Sequence, residues 1–255
     1  MIMRFASDFS VLFGRALKGS LRNPVWLFIG MFQPVLYLLL FAPLLKGLNG
    51  VPGFPPGGAY TVFTPGLLVM LAMFTTAFAG FGLVEHIRSG LVERLLVTPA
   101  SRLSILLALL ARDVSVLLVQ SVIALAMAAL LGLDASLAGL LVTLGLLVVT
   151  GLLMASCSYA LAMLLKREDA LASVTNTVAT PLLLLSGITL PLTLAPKIIQ
   201  AIASVNPLAY EVTAARSLFL GNFADSSLAV SFALLGGLAA LAFWWAIRSL
   251  RKAAA

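Results

Sequence analysis

The stretch EHIRSGLVERLLVTPASR, residues 85–102, lies between two long apolar runs, and its reading decides how the rest of the chain is understood. It carries charge at Glu85, Arg88, Glu93, Arg94 and Arg102, an apolar stripe at Leu91, Leu95 and Leu96, and a stop at Thr98 and Pro99. Proline disfavours helix at the residue before it, so Gly90 and Pro99 bracket a short helix that presents Glu93 and Arg94 on its polar side. A solvated connector has no need of an apolar stripe. The segment reads as a small docking element between two membrane-crossing helices.

Composition supports the membrane reading. Hydrophobic residues make up 62% of the chain and charged ones 10%, with a mean hydropathy of +1.12. A water-soluble core cannot absorb that much apolar surface without exposing large patches. Lys and Arg outnumber Asp and Glu by 16 to 9. They are scattered singly rather than gathered on one face, which argues against nucleic acid and fits the accumulation of basic residues on the cytoplasmic side of membrane spans. Cys157 is the one cysteine and His86 the one histidine. Neither an intrachain disulfide, a thiolate metal cluster nor a histidine-based triad is expected.

About 20 apolar residues cross the hydrocarbon core as a helix. Six stretches qualify: Val25 to Leu45, Thr61 to Val84, Val114 to Leu133, Leu137 to Leu165, Ala170 to Leu190 and Leu228 to Ile247. With a cytosolic N-terminus, Arg4, Arg15, Lys18, Arg22, Arg88, Arg94, Arg102, Arg112, Lys166, Arg167, Arg248, Arg251 and Lys252 lie inside, and only Lys46, Lys197 and Arg216 outside. The positive-inside rule then places both termini in the cytosol. Residues 1–23 lack the apolar centre and cleavage site of a signal peptide. Phe5, Phe9, Leu12, Phe13, Ala16 and Leu17 recur at helical spacing opposite Arg4, Asp8, Arg15, Lys18 and Arg22, as in a helix lying in the membrane interface. Residues 191–227 contain two apolar segments separated by Asn206 and Pro207. They predict an outer re-entrant helical hairpin before the last span, packed against protein, since non-helical backbone at membrane depth survives only there or facing water. The whole, residues 1–255, reads as one all-α integral membrane domain.

Polar residues within spans need an account. Gln33 beside Pro34, Thr75, Thr76, Thr175, Asn176, Thr177 and Thr180 fit helix-to-helix contacts. The second reading has Gln33, Thr75, Thr175, Asn176 and Thr180, with Phe74, Phe78 and Phe81, lining a route for an amphipathic molecule; both stay open. Asn206, Glu211 and Arg216 are candidate outer-gate residues, with interfacial anchoring as the alternative. Arg112 and Asp113 read as the cytoplasmic edge of the third span, and Lys166 to Asp169 as a tight cytosolic turn.

The run Gly90-Leu91-Val92-Glu93-Arg94-Leu95-Leu96-Val97-Thr98-Pro99, followed by Ser101-Arg102, resembles the signature of the permeases of type 2 ABC exporters, among them daunorubicin-exporter-like and Nod-factor-exporter-like permeases. The resemblance extends to Leu185-Ser186-Gly187, Pro191, Asn206-Pro207-Leu208, Arg216 and Gly221. It implies a half-transporter of the inner (cytoplasmic) membrane that pairs with a second copy of itself and is driven by two cytosolic ATP-binding subunits, which use ATP and Mg. Glu85, Arg88, Gly90, Leu91, Glu93, Arg94, Thr98, Pro99 and Arg102 would then form the coupling element. The sequence agrees in one respect: it contains no Gly-x-x-x-x-Gly-Lys-Ser/Thr loop to cradle phosphates, so no cofactor is expected on this chain and the energy must come from another. Short external loops favour a hydrophobic, drug-like or lipid-like cargo. The alternatives are a saccharide-bearing cargo, or a channel or structural membrane subunit without ATP coupling. An enzyme is disfavoured, because the spans hold no acidic pair and no Ser in a nucleophile elbow.

Overall fold

The structure, a computed structural model, describes residues 2–22, 31–32, 34–40, 58–91, 101–188 and 192–253. Most of the first predicted span and of the turn that follows it, with Gln33, lies outside the described residues, although 34–40 are helical. The described elements are α1 (Ile2–Arg22), α2 (Gly58–Ala77), α3 (Gly80–Arg88), α4 (Arg102–Leu130), α5 (Leu137–Leu165), α6 (Glu168–Leu184), α7 (Lys197–Ala203), α8 (Pro207–Phe219) and α9 (Ser226–Ala253), with a single 3-10 turn at Leu192–Leu194. No strand occurs among the described residues.

Among the described residues, four stretches are long and apolar enough to cross a membrane: Gly58–Arg88, Arg102–Leu130, Leu137–Leu165 and Ser226–Lys252. They correspond to the second, third, fourth and sixth predicted spans. The fifth is α6, at 17 residues. Such a helix is about 26 Å long, short of a hydrocarbon core about 30 Å thick. The apolar run beyond Leu184 goes into a turn instead, where the Ser186 hydroxyl donates to Leu183 O at 2.6 Å and Gly187 takes a φ of +72°, a conformation that favours glycine.

The third predicted span also starts earlier than its hydropathy suggests. Ser101 caps α4, its Oγ accepting from Ser104 N at 3.0 Å, so the helix is continuous from Arg102. Arg112 and Asp113 consequently sit three turns inside it rather than at its edge. Ser136 caps α5 in the same way, accepting from Gly139 N at 3.1 Å.

Helix α5 is the centre of the bundle: α2, α3, α4, α6, α8 and α9 all pack on it. In hydrocarbon no hydrophobic effect drives helices together, and close approach over small residues takes its place. A Cβ on Gly151 of α5 would meet the Leu117 side chain at 2.8 Å, and one on Gly139 would run into the Leu218 carbonyl. Opposite Ser158 the span is broken at Phe78 and Ala79, between α2 and α3. The Ser158 hydroxyl donates to Ala77 O at 2.6 Å and accepts from Gly80 N at 2.9 Å, so a side chain of α5 satisfies the backbone groups that the break exposes.

The bundle has a basic end, where Arg88 and Glu168 approach to 3.4 Å and Arg102 donates to Arg251 O at 3.3 Å. At the opposite end Thr61 donates to Asp134 O and Ser136 to Leu218 O. Arg248 lies over the Trp244 ring near the basic end of α9, a pairing typical of a membrane interface. Helix α1 packs along α4, with Phe9 and Phe13 stacked 5.8 Å apart and Arg15 and Lys18 exposed.

Ser158→Ala strands a buried N–H and a buried carbonyl in a water-poor site. It should cost about 1–3 kcal/mol, read as a lowered unfolding midpoint of the protein in lipid nanodiscs. Gly145→Ala, at a position with only the Phe232 ring edge 4.0 Å away, should leave that midpoint unchanged.

Candidate functional site

At the basic end α3 runs as helix through Arg88 and stops at Ser89 and Gly90. Gly90 turns the chain with a φ of +68°, and Leu91 is the last described residue before 101. Glu85 and Arg88 are therefore exposed on a rigid helix end rather than on a loop. Glu93, Arg94, Thr98 and Pro99 lie outside the described residues. Arg102, at the start of α4, holds the end of α9 through Arg251 O. The Arg88–Glu168 pair leaves the two side chains 60% and 47% exposed, so it aligns the α3 end with the α5–α6 turn while contributing at most about 1 kcal/mol. In that turn Arg167 and Asp169 are fully solvated, and the hydrogen bond from Arg167 holds the Asp169 carboxyl below its usual range.

The candidate pathway residues separate into two groups. Thr75 donates to Gln120 Oε1 at 2.7 Å, joining α2 to α4, and Thr175 is buried on the inner side of α6 with Leu171 and Ala179. Asn176 and Thr180 are exposed, together with Ser173 and Thr177. Thr177 and Thr180 return their hydroxyls to the carbonyls one turn back, Ser173 O at 2.8 Å and Asn176 O at 2.9 Å. The Asn176 carboxamide makes no hydrogen bond among the described residues. Helix α6 thus shows a polar face on the outside of an otherwise apolar bundle. Phe74, Phe78 and Phe81 are half-buried and follow one another with ring centroids 6.1 and 5.5 Å apart.

At the opposite end Asn206 caps α8, its Oδ1 accepting from Leu208 N at 3.0 Å while Nδ2 donates to Leu182 O at 2.7 Å. Arg216 donates through Nε to Val62 O at 2.9 Å and through Nη2 to Gly187 O at 2.7 Å. One guanidinium therefore clamps α8 to α2 and to the turn after α6. Glu211, fully buried, does not pair with it. Neither carboxylate oxygen completes a hydrogen bond among the described residues, and the neighbouring Thr150 hydroxyl is also without one. At 13 residues α8 spans nothing, and burial pushes the Glu211 carboxyl upward while Thr150 pulls slightly the other way. Beyond the hairpin, Ser217 donates to Asp225 and holds that carboxyl below its usual range.

Sequence reasoning missed one polar cluster. Arg112 donates to Asp113 Oδ1 through Nε at 2.8 Å and Nη2 at 2.5 Å and to Tyr159 OH at 3.2 Å, while Tyr159 donates to Asp113 Oδ2. The signal was present in the Ser101-x-x-Ser104 cap, which starts α4 eleven residues before Arg112. Both charged groups thereby find hydrogen-bond partners, the condition for keeping charge inside a span.

A helical bundle with several apolar spans, a short charged junction between two of them and a polar flank on a neighbouring helix has the build of a membrane permease. The chain belongs to the ABC-2 type transporter family, which matches residues 7–220. It is 30% identical over 234 residues to a protein of Cyanophora paradoxa described as transport permease ycf38, covering 89% of this chain and 80% of that one. The Pyropia yezoensis protein of the same description is 28% identical, with 88% and 79% covered. The daunorubicin resistance ABC transporter permease protein DrrB1 of Streptomyces coeruleorubidus is 26% identical over 222 residues, with 82% and 73% covered.

Because Arg216 serves two carbonyls on different elements, Arg216→Gln should destabilise the packing of α8 by about 1.5–3 kcal/mol for each charged hydrogen bond lost. Arg216→Lys, which keeps the charge but replaces the planar fork by a compact ammonium on a shorter reach, should recover part of that. Protease susceptibility near Gly221 in nanodiscs measures both.

Proposed function

We propose that this chain is the membrane-spanning permease subunit of an ATP-driven exporter that moves a hydrophobic, drug-like or lipid-like molecule out of the cytoplasm or the inner leaflet. The observation that carries the reading is the exposed face of α6. The Asn176 carboxamide is costly against lipid tails, and it lies in one exposed stripe with Ser173, Thr177 and Thr180 that is at ease against a second copy or a wet pathway. In this reading two copies pair with α6 facing the route, Phe74, Phe78 and Phe81 offer apolar and aromatic surface beside it, and the α7–α8 hairpin closes its outer mouth. The basic end is cytosolic, with both termini there, as the bias of Lys and Arg supports. ATP hydrolysis is carried by a separate ATP-binding subunit, two copies per transporter, seated on the junction from Glu85 to Arg102. The relative concerned with daunorubicin resistance favours a drug-like cargo over a saccharide-bearing one.

The pairing is tested by introducing Asn176→Cys or Thr180→Cys into a Cys157→Ala background. Cross-links between copies are expected at these positions and not at Thr175→Cys, on the inner side of α6. Absence of cross-linking at both exposed positions, in protein that still inserts and transports, would remove α6 from the dimer interface.

The junction is tested by Glu93→Arg. A charge pair lost from a partly desolvated interface costs about 2–5 kcal/mol, so this variant should insert and dimerise normally yet bind the ATP-binding subunit weakly or hydrolyse ATP without export. Wild-type binding and transport measured together on reconstituted vesicles would place the coupling element elsewhere.

A further inference from the structure

Glu211 is fully buried and has no hydrogen-bond partner among the described residues. The Thr150 hydroxyl close to it lies near the midpoint of α5, and that hydroxyl too lacks a partner. Helices α2, α5 and α9 pack against α8, and none of them brings a counter-charge to this place. The ionisable groups of α2 and α5 are Tyr60, Cys157 and Tyr159, and Tyr159 is held by Asp113 and Arg112. Those of α9 are Arg248, Arg251 and Lys252, the first about 33 Å along the helix from its start. On α8 itself Tyr210 donates to Ser204 O, and Arg216 is committed to two carbonyls. Lys197, on the adjoining α7, is exposed.

A carboxylate in such a place has lost its water and has only the nearby Thr150 hydroxyl to offset part of that loss, whereas the neutral acid loses far less. We propose that Glu211 is a proton-binding site of the α7–α8 hairpin: the packed position of α8 carries it as the neutral carboxylic acid, and release of α8 into water gives that proton up. The step balances as carboxylic acid to carboxylate plus a proton passed to water. It depends on how the hairpin packs and not on the direction or cargo of transport, so it stands or falls separately from the export reading. Acidity at that end of the bundle then clamps α8, and alkalinity loosens it.

The sign follows from linkage. Burial lifts the carboxyl from an ordinary value of 4.5 to about 8, so packing is strongest below about pH 4.5 and weakens by about tenfold per pH unit until about pH 8. Above that the two states are equally deprotonated and the dependence ends.

The test uses the full chain in phosphatidylcholine and phosphatidylglycerol nanodiscs. Infrared spectra at pH 7 should contain the carbonyl band of a neutral carboxylic acid that fades above about pH 8 and is missing from Glu211→Gln. Should that variant not insert, Glu211→Asp, which keeps the acid and moves its band, makes the assignment. The second readout is modification of Val212→Cys, placed on the buried side of α8 in a Cys157→Ala background. Its rate is divided by the rate in the matching Glu211→Gln protein at the same pH, which cancels the thiol's own titration. That ratio should climb as pH rises from 5 to 8 and then level. A carboxylate band from Glu211 at pH 6, or a flat ratio over this range, would overturn the proposal.

Discussion

Within hydrocarbon no water replaces a missing hydrogen bond, so each interruption of a helix in this bundle has to be answered by a side chain from a neighbour. Helix α5, with its Ser136 cap, gives two of those answers. It carries no charge along its 29 residues, and its small positions let other backbones come close enough for Ser136 and Ser158 to reach the carbonyls Leu218 O and Ala77 O. The break between α2 and α3 is stable because Ser158 is where it is. The same geometry brings α8 against the far end of α5, where a side chain at Gly139 would collide with Leu218 O.

The two ends of the bundle are held by different physics. At the basic end the contacts are exposed ion pairs and one arginine on a terminal carbonyl, each weak and open to exchange with water. At the other end Asn206 and Arg216 make hydrogen bonds to backbone carbonyls of α2, of α6 and of the turn that follows it, out of bulk water, where each counts for more. A partner that binds the basic end therefore meets a surface whose own contacts are cheap to rearrange. Any displacement of α8 at the opposite end has to release the Arg216 bonds to Val62 O and Gly187 O.

Much of this was legible in the sequence, and the reasons are specific. The second, fourth and sixth predicted spans are α2 with α3, α5 and α9, because uninterrupted apolar runs of this length have one stable form in a bilayer. The Asn206-Pro207 pair marked the boundary of α8 through a cap and a proline at the first helical position. The fifth span was overestimated because hydropathy counts Leu182 to Leu190 as helix-forming and is blind to the glycine that turns the chain at 187. For the candidate site, residue type picks out the polar positions of α6, but only the fold separates Thr175, turned inward, from Asn176 one residue later. Arg112 and Asp113 looked like a boundary because adjacent opposite charges usually mark one, and the contribution of Tyr159 from another helix has no trace in local sequence.

The buried charges sharpen that contrast. Arg112, Asp113 and Tyr159 form a closed set in which each charged group is paired, so the cluster is neutral as a whole and its geometry is fixed. Arg216 is half-buried and satisfied by two carbonyls. Glu211 belongs to neither kind, and among the described residues it is the one buried ionisable side chain whose polar atoms are left unpaired. Selection for stability alone would replace such a carboxyl with leucine or methionine, since an apolar group of similar size fills the space without a desolvation penalty. A titratable group in the packed side of a helix that is otherwise clamped by its Asn206 cap and Arg216 ties the energy of that packing to proton concentration. The neighbouring contacts of α8 are insensitive to pH over the same range, which leaves Glu211 as the place where this hairpin can respond to its surroundings.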